Sequence, residues 1–280
     1  MRWYADDSDI RTIKDLRVPN LILFGGIAVS SENERLLRSA IEEAKSKFGH
    51  KRLPIKWNFK DLKKKYSEQN RLEDYEKLLS KMFDLRKAIF DATSKIEYSI
   101  IISIVIGHSS DSKILQKLKS DLSRHVFSNS LMRFSQHVKE TNPQRAEVIL
   151  DWPDSANSKP FDIEYACAYN SGETKDGQKY MSGPLESLNF HDSAVYTRMP
   201  HCTLMQFSDL ILGATREFVQ HALDDRKTGH GVKLLNDVAP NFRGFPNHVI
   251  GRGININSGA PNKTKQLIAN KFNELYINKK

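Results

Sequence analysis

Three aspartates stand where a carboxylate is costly unless something pairs with it. By residue type Arg2-Trp3-Tyr4-Ala5 is an opening strand, and Asp6 closes it, followed by Asp7 and Ser8. Glu147-Val148-Ile149-Leu150 delivers Asp151 in the same manner, and a strongly apolar helix over residues 204–218 carries Asp209. An ionised carboxylate in such a setting raises the energy of the fold unless it is paired or coordinates a cation. Asp6, Asp151 and Asp209 are therefore expected to share a metal site. Hydrolysis of a phosphodiester needs a deprotonated water, neutralised phosphoryl oxygens and a stabilised leaving alkoxide. Two divalent ions roughly 3.5–4 Å apart supply all three. Mg2+ and Mn2+ take hard oxygen ligands, so aspartates rather than thiolates or imidazoles should hold them. The expected chemistry is metal-dependent hydrolysis of nucleic acid, DNA or RNA.

Each acid also has a plainer reading. Asp6-Asp7-Ser8-Asp9 suits a turn or cap. On a regular strand Asp7 points opposite to Asp6, so it joins the site only if the strand has already bent. Asp154 and Asp162, near Asp151, read as loop charges. Within residues 204–218, Leu204, Phe207, Ile211, Ala214 and Phe218 share one helical face, and Met205 and Leu212 widen it. Asp209 lies outside that stripe, with Met205 and Gly213 one turn to either side. Gly213 lowers helix stability relative to alanine and leaves a notch through which a phosphate backbone can approach.

Lys56 is the best non-acidic candidate, as a phosphate contact, against a plain salt bridge to a nearby carboxylate. It sits in a basic stretch over residues 45–65, where Phe48, Trp57 and Phe59 interleave nine Lys and Arg. Cations for phosphates and aromatics for base stacking are both present there. A solvated face with its aromatics turned inward is the simpler reading for most of those lysines.

The elements that must position these groups alternate in type. Strands are expected at residues 2–6, 21–29, 98–106, 146–150, 187–196 and 248–257. Helices are expected from Ser30 or Ser31 to about Lys47, over residues 72–93, over 114–138 as one or two, from about 202 to 222, and over 263–276. Gly25 and Gly26 mark a bulge or a close backbone approach in the second strand, and residues 161–183 are turn-rich and ambiguous. Strands interleaved with helices argue for α/β layering around one sheet. One domain is expected over residues 1–223, with residues 224–280 as an extension packed on it.

Composition sets limits on function. The net charge of +9, from 43 Lys and Arg against 34 Asp and Glu, favours a polyanionic partner. The longest apolar run, residues 99–107, fits a buried strand and is too short for a bilayer. Asp6 and Asp7 interrupt any signal-peptide pattern, so a cytoplasmic protein without membrane association is expected. Cys167 and Cys202 lack Cys-x-x-Cys spacing. Arg216 and His221 fit an Arg-x-x-x-x-His pattern known from metal-independent helical ribonucleases, but the strands disagree with an all-helical scaffold. His191 and His201 lack a Gly-x-Ser-x-Gly elbow. Neither Gly25-Gly26 nor Gly251-Arg252-Gly253 ends in the Gly-Lys-Ser/Thr of a phosphate loop.

Several motifs resemble a known family. Tyr4-Ala5-Asp6-Asp7-Ser8 is similar to the Tyr-x-Asp-Glu-Ser opening of the bacterial and phage domain-of-unknown-function family 3800. Residues 24–29 resemble its second strand, Ile55-Lys56-Trp57 its short lysine box, and residues 146–151 its apolar strand ending in Asp. Residues 204–214, Leu-Met-Gln-Phe-Ser-Asp-Leu-Ile-Leu-Gly-Ala, resemble its Leu-Gln-x-Ala-Asp-Leu-x-x-Gly-Ala helix. The match runs in order to about residue 222. It implies a ribonuclease-H-like fold, with a mixed central sheet flanked by helices on both faces and acidic metal ligands at Asp6, Asp151 and Asp209. Asp7 stands where that family has Glu, and Pro54 and Ile55 replace the acid that often precedes the lysine box. Asp6 is expected to bridge the ions, Asp151 to bind one, and Asp209 to complete the site and orient the attacking water. A place in phage defence or mobile-element biology follows from the family's company. The rival expectation is a module that keeps the fold and binds nucleic acid or a protein partner without catalysis, with residues 224–280 as the surface for a partner or a second copy.

Overall fold

The computed structural model describes residues 1–8, 20–107, 112–152, 159–225, 229–257 and 259–278. Its centre is a six-stranded mixed sheet of order β5-β4-β1-β2-β3-β6. Strands β1 (Arg2–Ser8), β2 (Asn20–Val29) and β3 (Ser99–Gly107) form an antiparallel meander. Beyond β1, β4 (Glu147–Asp151) and β5 (Val195–Thr197) add in parallel, and β6 (Ile254–Ile256) adds in parallel to β3. The helices are α1 (Ser31–Ser46), α2 (Lys63–Glu68), α3 (Leu72–Ser80), α4 (Met82–Thr93), α5 (Ser112–Thr141) and α6 (Lys159–Ser171). They continue with α7 (Thr203–Leu223), α8 (His230–Val238), the interrupted turn α9 (Val249–Arg252) and α10 (Asn262–Phe272). Among the described residues, no helix is long and apolar enough to cross a membrane.

Strand alternation divides the core into two layers. Tyr4, Leu21, Leu23, Ile27 and Ile102 face one side and pack with Leu37 and Ile41 of α1, Ile89 and Phe90 of α4, and Phe207 and Ile211 of α7. Trp3, Ala5, Ile22, Phe24 and Ile101 face the other and meet Phe127, Leu131 and Phe134 of α5 and Tyr165 of α6. Both faces of the sheet are thus covered, which is why β3 is an isoleucine run without charges. The described residues beyond Leu223 belong to the same body, since β6 extends the sheet and Phe272 of α10 packs edge-on against Phe218 of α7.

Some expected elements differ. The helix expected over residues 72–93 breaks at Lys81, whose φ of −113° and ψ of 16° leave the helical region. The two pieces bury their apolar faces in different places. Tyr75 stacks on Phe59 with centroids 5.0 Å apart, whereas Phe90 meets Phe207 of α7. One straight helix cannot serve both. The strand expected over residues 187–196 is also replaced. Residues 185–188 form a 3-10 turn and Asn189 takes a left-handed φ of 60°, a conformation that asparagine tolerates. Pairing then shrinks to a single bridge between Phe190 and Ala146 and to the strand Val195–Thr197. The strand expected over 248–257 likewise contracts to Ile254–Ile256 behind the interrupted turn α9. The ambiguous stretch 161–183 begins as α6, which ends at Gly172 with φ +64°. Residues expected to form one or two helices over 114–138 form the single helix α5. The turn expected after β1 and the charge at Asp154 lie outside the described residues.

Gly26 marks a close approach rather than a bulge, because the register with β1 and β3 runs unbroken through it. A Cβ there would lie 2.1 Å from the Tyr4 carbonyl oxygen and 2.7 Å from Ser208 Oγ. The missing side chain lets α7 settle directly on β1. Gly26→Ala is expected to lower stability by about 2 kcal/mol or more, the scale of overpacking in a rigid core, measured by urea denaturation.

Candidate active site

The site is built at the carboxyl ends of two neighbouring strands. In the parallel pair β1–β4, Ala5 lies opposite Leu150, so the next residue on each strand is an aspartate. Alternation then assigns faces. Tyr4 and Ile149 belong to the α7 side, and Asp6 and Asp151, two residues further along, fall on that side together. Adjacent strands lie only about 4.8 Å apart.

Helix α7 brings the third acid. Ser208 Oγ donates to the Tyr4 carbonyl at 2.7 Å, in the space that Gly26 leaves open, and pins the helix to β1. Asp209 is the next residue. Each acid accepts a backbone N–H: Asp6 Oδ1 from Asp7 at 2.8 Å, Asp151 Oδ1 from Met199 at 2.7 Å, and Asp209 Oδ2 from Trp57.

The Trp57 and Met199 donors lie on a strap without regular structure and on a short 3-10 turn, and Gln206 ties both segments to α7. Its Oε1 accepts Ile55 N–H at 3.2 Å and Lys45 Nζ at 3.3 Å, while its Nε2 donates to the Met199 and Pro200 carbonyls at 3.3 and 3.2 Å. One amide three residues before Asp209 therefore fixes the strap that holds Asp209 and the turn that holds Asp151. Trp57 locks the strap in place. The Arg86 guanidinium lies 4.2 Å from its ring centroid and donates to its carbonyl. On the helix side, a Cβ at Gly213 would lie 2.0 Å from the indole. The expected notch at Gly213 is thus filled by Trp57, and it does not admit a phosphate backbone.

The electrostatics follow from burial. Asp6 is 6% exposed, and its carboxyl is pushed well above the usual range, first by burial and then by the charges of Asp7, Asp209 and Asp151. Burial also pushes Asp209 up, to about 6, and Asp151 adds to the shift. The Trp57 N–H, Lys56 and Arg86 oppose it. Lys56 acts on both Asp6 and Asp209 and so faces the acidic cluster.

Asp7 does not join the three. Strand β1 stays paired through Ser8, so the Asp7 side chain is exposed on the opposite face; its backbone N–H donates to Asp6, and its charge adds to the raised pKa there. Asp162 lies on α6, where its Oδ1 accepts the Tyr196 hydroxyl. Nor does the basic stretch form a stacking surface. Phe59 is buried against Tyr66 and Tyr75, Trp57 is held as described, and Lys45 is buried in a 2.9 Å ion pair with Glu42. Lys47, Lys51, Arg52, Lys60, Lys63, Lys64 and Lys65 remain exposed.

The donors suit a hard divalent cation in type, since all are carboxylate oxygens and buried Asp6 is crowded by like charge. Among the described residues, however, no group of three or more His, Cys, Asp or Glu side chains is arranged, as it stands, to hold a metal ion. Compared with known proteins, the chain matches no family model, no curated protein and no solved structure.

Sequence reasoning missed Gln206, Arg86 and the Met199 N–H. Only Gln206 left a signal, as a polar residue inside an apolar helix. The others act through backbone donors or across the fold.

The raised pKa of Asp209 gives a stability prediction. Its folded value of about 6 exceeds the unfolded value, so the stability linked to its protonation is full below about pH 4 and is lost as pH rises through 6. In chelator-treated protein, Asp209→Asn keeps an acceptor for the Trp57 N–H and removes the buried charge. It should raise stability at pH 8 by at most about 3 kcal/mol, with the gain shrinking through pH 6 and gone near pH 4, as read by denaturant melts across that range.

Proposed function

We propose that this protein hydrolyses phosphodiester bonds of nucleic acid with Mg2+ or Mn2+, on a ribonuclease-H-like architecture. The observation that carries the reading is the convergence of Asp6, Asp151 and Asp209, from two parallel strands and one helix, beside Lys56 at one end of the sheet. The architecture is supported by the β1–β2–β3 meander with β4 and β5 added in parallel beyond β1, and by the motif order described above.

In this reading Asp6, Asp151 and Asp209 would hold the cation, which supplies charge neutralisation at the phosphoryl oxygens and lowers the pKa of a bound water. Lys56 draws the phosphate toward the acids by charge, with little sequence readout. Asp209, aligned by the Trp57 N–H, would complete the site and help orient the attacking water. The Trp57 and Met199 N–H groups orient Asp209 and Asp151 within the cluster. Exposed cations from Lys47 to Lys65 extend the positive field along the strand path.

One observation favours the rival module without catalysis: no described acidic group is arranged to close on an ion as it stands. Nucleic-acid affinity would then depend on salt and be indifferent to the aspartates.

The two readings separate in one assay. Purified protein is incubated with DNA and RNA oligonucleotides in Mg2+, Mn2+ or EDTA. Metal-dependent cleavage that falls at least about 100-fold in Asp151→Asn, the scale of losing a group aimed at developing charge, supports the enzyme, provided the variant melts as the wild type does. Salt-sensitive binding without cleavage, unchanged in Asp151→Asn, overturns it in favour of the module.

A further inference from the structure

The residue after Asp151 is a tryptophan that the sheet does not bury. Trp152 is 40% exposed, although the chain's other two tryptophans are held inside, Trp3 at 0% and Trp57 between Gly213 and Arg86. Its backbone N–H donates to the Thr197 carbonyl at 2.7 Å, so the chain is still registered on β5 at this point. Its ring meets Tyr196 edge to face, with centroids 5.4 Å apart at 77°. Tyr196 is itself anchored, because its hydroxyl donates to Asp162 Oδ1 at 2.6 Å. An exposed indole braced against a tethered ring has fewer rotamers open to it before any ligand arrives. That loss is unfavourable for a solvated side chain and favourable for a binding surface.

Alternation puts Trp152 on the side of Leu150, the α5–α6 face, whereas Asp151 points to the α7 face. Asp7, exposed at the end of the neighbouring strand, lies on the Trp152 side. The indole thus flanks the carboxylates at the rim of the same sheet end, on a backbone about 3.8 Å from Asp151. In the basic stretch Phe59 is buried and Trp57 is wedged between Gly213 and Arg86, whereas Trp152 presents an exposed ring one residue from Asp151.

We propose that Trp152, braced by Tyr196, is a stacking platform for a base of single-stranded nucleic acid whose phosphate lies at the carboxylates. The inference rests on the functional reading above. A base on the indole holds the strand against the rim, and any base can take that position because every base has a π-face. The protein should therefore prefer single strands to duplexes, whose bases are already stacked.

The test has a binding arm and a cleavage arm. In EDTA, a mixed-sequence single-stranded oligonucleotide should quench the tryptophan fluorescence of the full chain, and its duplex should not. Trp152→Ala should lose the quench and weaken single-strand binding roughly tenfold, the scale of one stacked base. Trp152→Phe should keep most of the affinity, and both variants should melt as the wild type does. In Mn2+, Trp152→Ala should raise KM for single strands with kcat largely retained. Single-strand binding that Trp152→Ala leaves unchanged, or wild type that binds duplex as well as single strand, overturns the platform even if cleavage is intact. Quenching and binding through Trp152 with no cleavage in any metal sustains the platform and overturns the catalytic reading instead.

Discussion

Strands β1 and β4 run in the same direction and pair with Ala5 opposite Leu150. Everything at the candidate site depends on that register. A slip of one residue would send either aspartate to the opposite face, and Asp6 and Asp151 would no longer share one. The register is held by what lies below it: Trp3 and Val148 on one side of the sheet, Tyr4 and Ile149 on the other. It is also held at the strand starts, where Arg2 pairs with Glu147 at 2.7 Å and with Glu34 of α1. Helix α7 completes the arrangement through one short contact, Ser208 on the Tyr4 carbonyl, which the absence of a side chain at Gly26 permits.

This geometry opposes stability. Carboxylates gathered at a buried strand end repel each other, and burial raises Asp6 and Asp209 above their ordinary range. The fold offsets part of the penalty with oriented dipoles and nearby cations: the N–H groups of Asp7, Met199 and Trp57, then Lys56 and Arg86. Two apolar layers, one on each face, supply the stability against which that local penalty is set. Such a concentration of unfavourable charge at one place is the pattern expected of the proposed site.

Rigidity at the site comes from irregular chain held by side chains rather than from loop composition. Gln206 uses both ends of its amide to fasten two coil segments to α7, and Arg86 clamps Trp57 from the far side. The buried Lys45–Glu42 pair joins the same network, since Glu42 also accepts from Thr203 at the start of α7. Lysines that look alike in sequence therefore divide into structural and solvated classes. Lys45 is part of the scaffold, Lys56 faces the acids, and Lys60 to Lys65 stand in water.

The sequence by itself determined the kinds of elements and which of their residues carry charge into apolar surroundings. Period-two alternation in β1, the unbroken isoleucine run of β3 and the 3.6-residue period of α7 are local properties, and Asp6, Asp151 and Asp209 stood out against them. Tertiary structure alone decided the rest. The break at Lys81, the turn that replaced the strand expected over 187–196 and the filling of the Gly213 notch by Trp57 each arise from contacts between residues distant in sequence. The same holds for the bonds from Gln206, whose partners lie up to 161 residues away. Pattern along a chain reports which face a side chain takes. Which partner occupies that face is settled only when the chain closes on itself, because the energy belongs to the contact and not to either residue.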